Sequence, residues 1–194
     1  VKFCLEQFCP DMLDKLSSCR SPQQMFGSLA KQILPSQLEC DAKDMVVVSI
    51  MPCTAKKFEA KMPKFAPEGR PEVDHVLTTQ ELAHMIEEAG IRFQDLAPES
   101  LDMPLGFKTG AGVIFGASGG VTEAVLRYAV EKLRGVTLSA VDFHEVRGDD
   151  LIREATFTVG DITLKLAVIH TLKKAAEVVE RIRRGECDYD LIEV

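Results

Sequence analysis

The chain has 194 residues, a formal net charge of −7, 46% hydrophobic residues and 27% charged ones, a length that suits one domain or one lobe of a larger one. The apolar fraction excludes a disordered tail or a collagen-like repeat, and no apolar run reaches the ~18 residues of a membrane helix. The acidic balance, with a pI near 5.2, argues against broad binding to a nucleic-acid backbone.

Taken in chain order, Val1, Cys4, Leu5 and Phe8 recur at helical spacing until Pro10 ends the stretch. Ser21-Pro22-Gln23-Gln24 predicts a helix start, with Ser21 as N-cap, Pro22 in the first helical position and Gln24 completing a capping box. Met25, Phe26, Leu29 and Ile33 give that helix an apolar face, and Pro35 limits it. Met45 to Ile50 is a short valine-rich run, the pattern of a strand buried on both faces. It leads into Met51-Pro52-Cys53, at the carboxyl end of a strand, where open α/β sheets bind ligands.

Residues 62–71 hold three prolines and a glycine and read as a loop. Thr78-x-x-Glu81 is a second capping box, with Leu82, Met85 and Ile86 on one face and Gly90 just past the helix end. A loop over 97–106 follows. Gly112 to Phe115 is expected as a strand, then a turn over Gly116-Ala117-Ser118-Gly119-Gly120 and a helix closed by Gly135. Residues 140–147 read as a strand, and Glu154 to Ile169 as a hairpin turning at Gly160-Asp161. Leu172 to Arg183 predicts a helix stopped by Gly185, before a last strand that begins near Tyr189. The basic residues Lys173, Lys174 and Arg181 to Arg184 read as a solvated face with cations suited to a helix end. The sum is an α/β chain with a mixed sheet and helices packed on it, and no internal boundary over 1–194. Val1 is not a natural start and the last strand stops short, so the chain is expected to be an excised piece of a longer protein.

The six cysteines (Cys4, Cys9, Cys19, Cys40, Cys53, Cys187) include no C-x-x-C pair. Neither a zinc ribbon nor a thioredoxin-like motif is available. Without a signal peptide they read as reduced intracellular thiols. Cys53 differs from the rest, because Lys56 and Lys57 follow it at the end of a strand, surroundings that favour thiolate. A thiolate there can bind a soft metal or attack an electrophile, while a lone cysteine can equally be a small core residue. The residues alone leave both readings open. His75, His84, His144 and His170 lack metal-ligand spacing.

The glycine turn fails the dinucleotide fingerprint and the P-loop. It does match G-x-S-x-G around Ser118, with Asp142 or Asp161 and then His170 downstream in serine-hydrolase order. Such a match arises cheaply in any glycine-rich turn, whose plain role is a tight connection with close backbone approach.

Three segments together carry a sharper signal: Ser21-Pro22-Gln23-Gln24-Met25-Phe26-Gly27, Met51-Pro52-Cys53-Thr54-Ala55-Lys56-Lys57-Phe58-Glu59, and Gly110 to Ala124 around the glycine turn. In order and separation they resemble the catalytic domain of the iron-only (FeFe) hydrogenases, over nearly the whole chain. The resemblance implies part of that family's two-lobed domain and reversible reduction of protons to hydrogen at an H-cluster. This cofactor is a 4Fe–4S cubane joined through a cysteine to a two-iron unit carrying CO, cyanide and a bridging dithiolate. By position, Cys53 looks like a cubane ligand and Lys56 like the donor to an iron-bound cyanide, a suitable charge-assisted bond. Ser21 and Gln23 look like further contacts, Met51, Pro52, Phe115, Gly116 and Val121 like pocket lining, and Ser17 like a hydroxyl of the proton relay.

The family's first motif, T-S-C-C-P-x-W, would lie before Val1, and its third, M-A-C-x-G-G-C, after Val194. This chain therefore carries one cubane ligand of the family's set, and its other cysteines match no ligand position. The turn also reads Ala117-Ser118 where Ala-Thr is common. The expectation is the central part of a hydrogenase catalytic domain, inactive and without its cofactor as an isolated chain. The implied parent is a cytoplasmic enzyme of an anaerobe, taking electrons from ferredoxin or an electron-transfer subunit. The alternatives are a hydrogenase-like protein of iron–sulfur assembly or redox sensing and, further off, a serine hydrolase using Ser118.

Overall fold

A computed structural model describes residues 2–107, 109–135, 137, 144–146, 149–159 and 161–194. Their contacts group into two compact units, one of residues 17–106 and one of residues 1–16 with 107–194. Neither junction is marked by a break in composition, which is why the sequence carries no sign of a boundary.

In the 17–106 unit, helix α2 (Pro22–Leu38) leads to strand β1 (Val48–Met51), helix α3 (Ala55–Ala60), strand β2 (His75–Thr78) and helix α4 (Thr79–Glu88), while helix α1 (Lys2–Phe8) belongs to the other unit. Ser21 caps α2 as expected, its Oγ accepting the Gln24 N–H. The rest of that capping box does not form. The Gln24 side chain is fully buried, and its amide has no hydrogen-bond partner among the described residues. Pro35 lies inside α2 rather than at its limit, and the helix ends at Glu39 in the left-handed region. The buried face also differs from the one expected. Met25, Phe26, Leu29 and Ile33 are exposed, whereas Gln24, Gly27, Ala30 and Leu34 are buried. Small residues win that face because the backbone of 72–73 comes so close: a Cβ on Gly27 would stand 2.7 Å from the Glu72 carbonyl oxygen. Lys31 adds to the seam, donating to the Pro71 carbonyl at 2.6 Å and pairing with Asp74 at 2.7 Å.

β1 pairs in parallel with β2, Val48 opposite His75 and Met51 opposite Thr78. It begins later than expected and is not buried on both faces, since Val48 and Ile50 are exposed. Among the described residues this sheet has two strands, so one edge of β1 has no partner strand there. The capping box at Thr78 and Glu81 forms in full, and Gly90 takes the positive φ expected past the end of α4. The 62–71 loop winds two short 3-10 turns at Pro63–Phe65 and Pro67–Gly69.

In the other unit, helix α1 (Lys2–Phe8) precedes a 3-10 turn at Pro10–Lys15. Later come helices α5 (Gly110–Ile114) and α6 (Gly120–Arg134), strands β3 (His144–Val146), β4 (Asp149–Val159) and β5 (Ile162–Ile169), helix α7 (Leu172–Arg183) and strand β6 (Leu191–Glu193). The sheet runs β3-β4-β5-β6, with β6 parallel to β5 and the other pairs antiparallel, the mixed sheet expected. Of the strand read over 140–147, His144–Val146 is seen and the remainder falls outside the described residues, as does Gly160 of the hairpin turn. Alternation along β4 and β5 sends Ile152, Ala167 and Ile169 to Val178 of α7, and Ala155 and Leu166 to Leu126 of α6. The strand expected at Gly112–Phe115 is instead helix α5. Thr109 caps it by accepting the Gly112 N–H at 3.2 Å, and a local cap outweighs the weak strand preference of Val113 and Ile114. Arg183 forks onto Asp11 and so ties the end of α7 to the first turns, while Lys173 and Lys174 stand in the first turn of α7, not its last.

Two predictions follow from this packing. A Cβ on Gly120 would lie 1.8 Å from the Ile114 carbonyl oxygen, whereas one on Gly112 meets only the Thr109 hydroxyl, at 3.7 Å. In urea unfolding of the chain, Gly120→Ala should destabilise by ~3 kcal/mol or more, and Gly112→Ala should be neutral or stabilising; equal midpoints would refute the close approach. Second, burial, with help from the acceptor Glu154, pushes the Tyr189 phenol up to about 12. Stability from this group is complete below the unfolded value near ~10 and is lost as pH rises through about 12. Ultraviolet titration should show one late phenol, and Tyr189→Phe should remove it.

Candidate functional site

The residues singled out from sequence fall in both units, and within each unit a carboxylate organises those it contains. In the 17–106 unit the chain leaves β1 at Met51 and runs through Pro52 and Cys53 to Thr54, which begins α3. Cys53 is an exposed free thiol, and Pro52 is exposed beside it. In the first turn of α3, the Lys56 ammonium pairs with the Glu59 carboxylate at 2.9 Å. The same Glu59 oxygen accepts the Ser21 hydroxyl at 2.8 Å, joining the start of α2 to α3. Gln23, 5% exposed, donates to the Lys56 backbone carbonyl at 3.4 Å and accepts from the Ser49 hydroxyl of β1 at 2.9 Å. Ser21, Gln23 and Lys56 are therefore brought together.

Each donor's remaining capacity follows from this geometry. Lys56 has three N–H groups and keeps two beyond its bond to Glu59. Ser21 has given its single proton to Glu59 and its oxygen to Gln24, so it supports Lys56 rather than presenting a donor. Ser17 stands apart from this group, exposed on the approach to α2, with its Oγ accepting the Cys19 N–H at 3.2 Å. Glu59 was missed as a site residue although it closes the M-P-C-x-x-K-x-x-E block; the available signal was the i,i+3 spacing of an oppositely charged pair.

In the other unit, Phe115, Gly116 and Val121 stand on and just after the tight connection between α5 and α6, all three solvent-accessible. Two charged side chains from the sheet grip this connection. Glu193 of β6 accepts the Gly119 N–H at 2.8 Å, the Thr122 N–H at 2.9 Å and the Thr122 hydroxyl at 2.6 Å. Arg153 of β4 donates to the Ser118 carbonyl at 3.0 Å. Neither was foreseen, because each acts on residues more than thirty positions away. The helix before the turn removes the strand-turn-helix setting that a nucleophile elbow at Ser118 requires. Asp142 of the supposed triad lies outside the described residues.

The donors present fit part of an iron site: an exposed soft thiol on Cys53, and an ammonium one turn on with free N–H groups for an anionic ligand. Among the described residues no three His, Cys, Asp or Glu side chains cluster as a metal site. No helix among them is long and apolar enough to cross a membrane.

The family model described as "Iron only hydrogenase large subunit, C-terminal domain" matches residues 1–194. The NADP-reducing hydrogenase subunit HndD of Solidesulfovibrio fructosivorans is 48% identical over 186 residues, covering 96% of this chain and 32% of that protein. The periplasmic Fe hydrogenase large subunit of Nitratidesulfovibrio vulgaris is 42% identical, covering 97% of this chain and 45% of its own length. Cytosolic iron-sulfur assembly component 3 of Pongo abelii is also similar, at 34% identity over 94% of this chain and 40% of that protein. The chain thus spans less than half the length of these relatives. Among solved structures, the apo FeFe-hydrogenase HydA1 of Chlamydomonas reinhardtii superposes with a TM-score of 0.79 at 37% identity, over 98% of this chain and 55% of that one. With its helix-flanked mixed sheet matching that catalytic domain and the family's pattern running from end to end, the chain belongs to the C-terminal domain family of iron-only hydrogenase large subunits.

Proposed function

We propose that this chain is the central part of an FeFe hydrogenase that interconverts protons and molecular hydrogen. The observation that carries the reading is the lock of Lys56 and Ser21 onto the one carboxylate of Glu59, beside the exposed thiol of Cys53. An ion pair within α3, tied to the start of α2 by the Ser21 hydroxyl, suits a pocket for an anionic iron ligand better than it suits packing alone, because the ammonium keeps further N–H groups to offer.

When bound, the H-cluster would supply the redox chemistry that combines two protons and two electrons. Cys53 would give a thiolate to its cubane, and Lys56 would hold an iron-bound cyanide by a charge-assisted hydrogen bond. Glu59 and the hydroxyl of Ser21 fix the ammonium, and Gln23 fixes the Lys56 carbonyl, so Lys56 is oriented before any ligand arrives. In the 17–106 unit, Met51 and Pro52 would contact the two-iron group and Ser17 would carry protons toward it; in the other unit, Phe115, Gly116 and Val121 would contact it. The further cubane ligands would come from other parts of the parent. Ferredoxin or an electron-transfer subunit would deliver electrons. The six free cysteines favour a cytoplasmic parent, although one relative carries a periplasmic name.

A second reading has one observation in its favour, the similarity to an iron-sulfur assembly component. In that role the parent would bind a cubane without turning over hydrogen.

The parent protein, matured anaerobically, should evolve hydrogen from a reduced viologen and show infrared bands of iron-bound CO and cyanide. A stable cubane without those bands or turnover would favour the assembly role. Within an active parent, Lys56→Gln should lower hydrogen evolution by ~10- to 100-fold, the value of a charge-assisted bond, and Glu59→Gln by a smaller factor. A Glu59→Gln loss equal to that of Lys56→Gln, in a variant that unfolds at the parent midpoint, would give the carboxylate a direct role instead. The isolated chain reconstituted with iron and sulfide should hold no stable cubane by electron paramagnetic resonance, and a stoichiometric cluster would overturn that expectation.

A further inference from the structure

Helix α6 begins at Gly119, whose φ of 84° and missing side chain leave the first N–H groups of the helix without a local cap. The acidic residue in its own first turn, Glu123, turns instead to Arg127. The cap comes from across the unit, from Glu193, which takes the Gly119 and Thr122 N–H groups and the Thr122 hydroxyl, with the positive end of a 15-residue helix favouring its charge.

The strand register explains how the carboxylate arrives there. Arg153 pairs with Val168, and Val168 with Glu193, so the three form one row across β4, β5 and β6. Side chains in one row leave the sheet on the same face. The buried Val168 stands at the centre of the row, and a cation and an anion rise on either side of it. The anion takes the N–H side of the α5–α6 connection, and the cation takes its carbonyl side at Ser118. Opposite charges thus hold the two ends of one peptide turn.

We propose that Glu193 is a positioning residue for the cofactor pocket: with Arg153 it locks the turn over 115–122 and so sets where Phe115, Gly116 and Val121 stand. This rests on the reading that those three line the two-iron unit. Two features point beyond simple stability. The turn has no slack on its helix side, because Gly120 packs against the Ile114 carbonyl. The grip also falls on Ser118, Gly119 and the first turn of α6 at Thr122, and not farther along either helix.

The test uses the full parent protein with Glu193→Gln, which keeps one oxygen acceptor, Glu193→Ala, which keeps none, and Glu131→Gln as a charge control on the exposed face of α6. In the apo proteins, hydrogen exchange at the Gly119 and Thr122 amides should quicken on the order of tenfold or more in Glu193→Ala, less in Glu193→Gln and not at all in the control. In the matured proteins, the infrared bands of CO and cyanide should shift or broaden in the same order. Bands present in the wild type and unmoved in a variant that has lost amide protection would overturn the proposal while leaving the hydrogenase reading intact. Unchanged amide exchange in both Glu193 variants would overturn it at the clamp itself. A wild-type parent that shows no such bands after maturation would overturn the hydrogenase reading, and this proposal with it.

Discussion

A carboxylate taken partly out of water must be met by donors, and in each unit of this chain one such carboxylate holds the residues of the candidate site. Glu59 receives the Ser21 hydroxyl and the Lys56 ammonium on a single oxygen. Because Ser21 is also the cap of α2, the same contact fixes where that helix begins relative to α3. Gln23 adds a second tie, bridging the Lys56 carbonyl to Ser49 of β1. Strand, loop and two helix starts are thereby joined by polar bonds, beside the buried apolar residues Ala30, Leu34, Phe65 and Val73 of the same unit.

Glu193 plays the corresponding part in the other unit, and the arrangement depends on the sheet. β5 is buried from Leu166 to Ile169, with α6 on one face and α7 on the other. That burial fixes the register, because a slip by one residue would turn every apolar side chain to the wrong face. Fixed register in turn delivers Arg153 and Glu193 to the same face in the same row. The precision of the glycine turn is therefore inherited from hydrophobic packing in the sheet.

Local signals were legible wherever the physics is local. The caps at Ser21 and Thr78, the glycines past α4, α6 and α7, and the hairpin of β4 and β5 follow from a few neighbouring residues. The differences have two causes, a distant partner and a competing local cap. Gln24 reads as a capping residue but is drawn into the interior of its unit. The small face of α2 displaces the larger apolar one because the 72–73 backbone approaches Gly27. Val113 and Ile114 read as strand, yet Thr109 starts a helix there.

The sequence by itself determined the family and the chemical types at the site: a thiol, an ammonium one turn later and a glycine turn, all encoded in contiguous motifs. Tertiary structure alone decided how those groups are held. The partners that orient them come from elsewhere in the chain: Ser21 is 38 residues from Glu59, Gly119 is 74 from Glu193, and Ser118 is 35 from Arg153. No motif can record such pairings. They exist because apolar burial and strand register bring distant segments together, and a polar side chain acquires its role from what burial sets beside it.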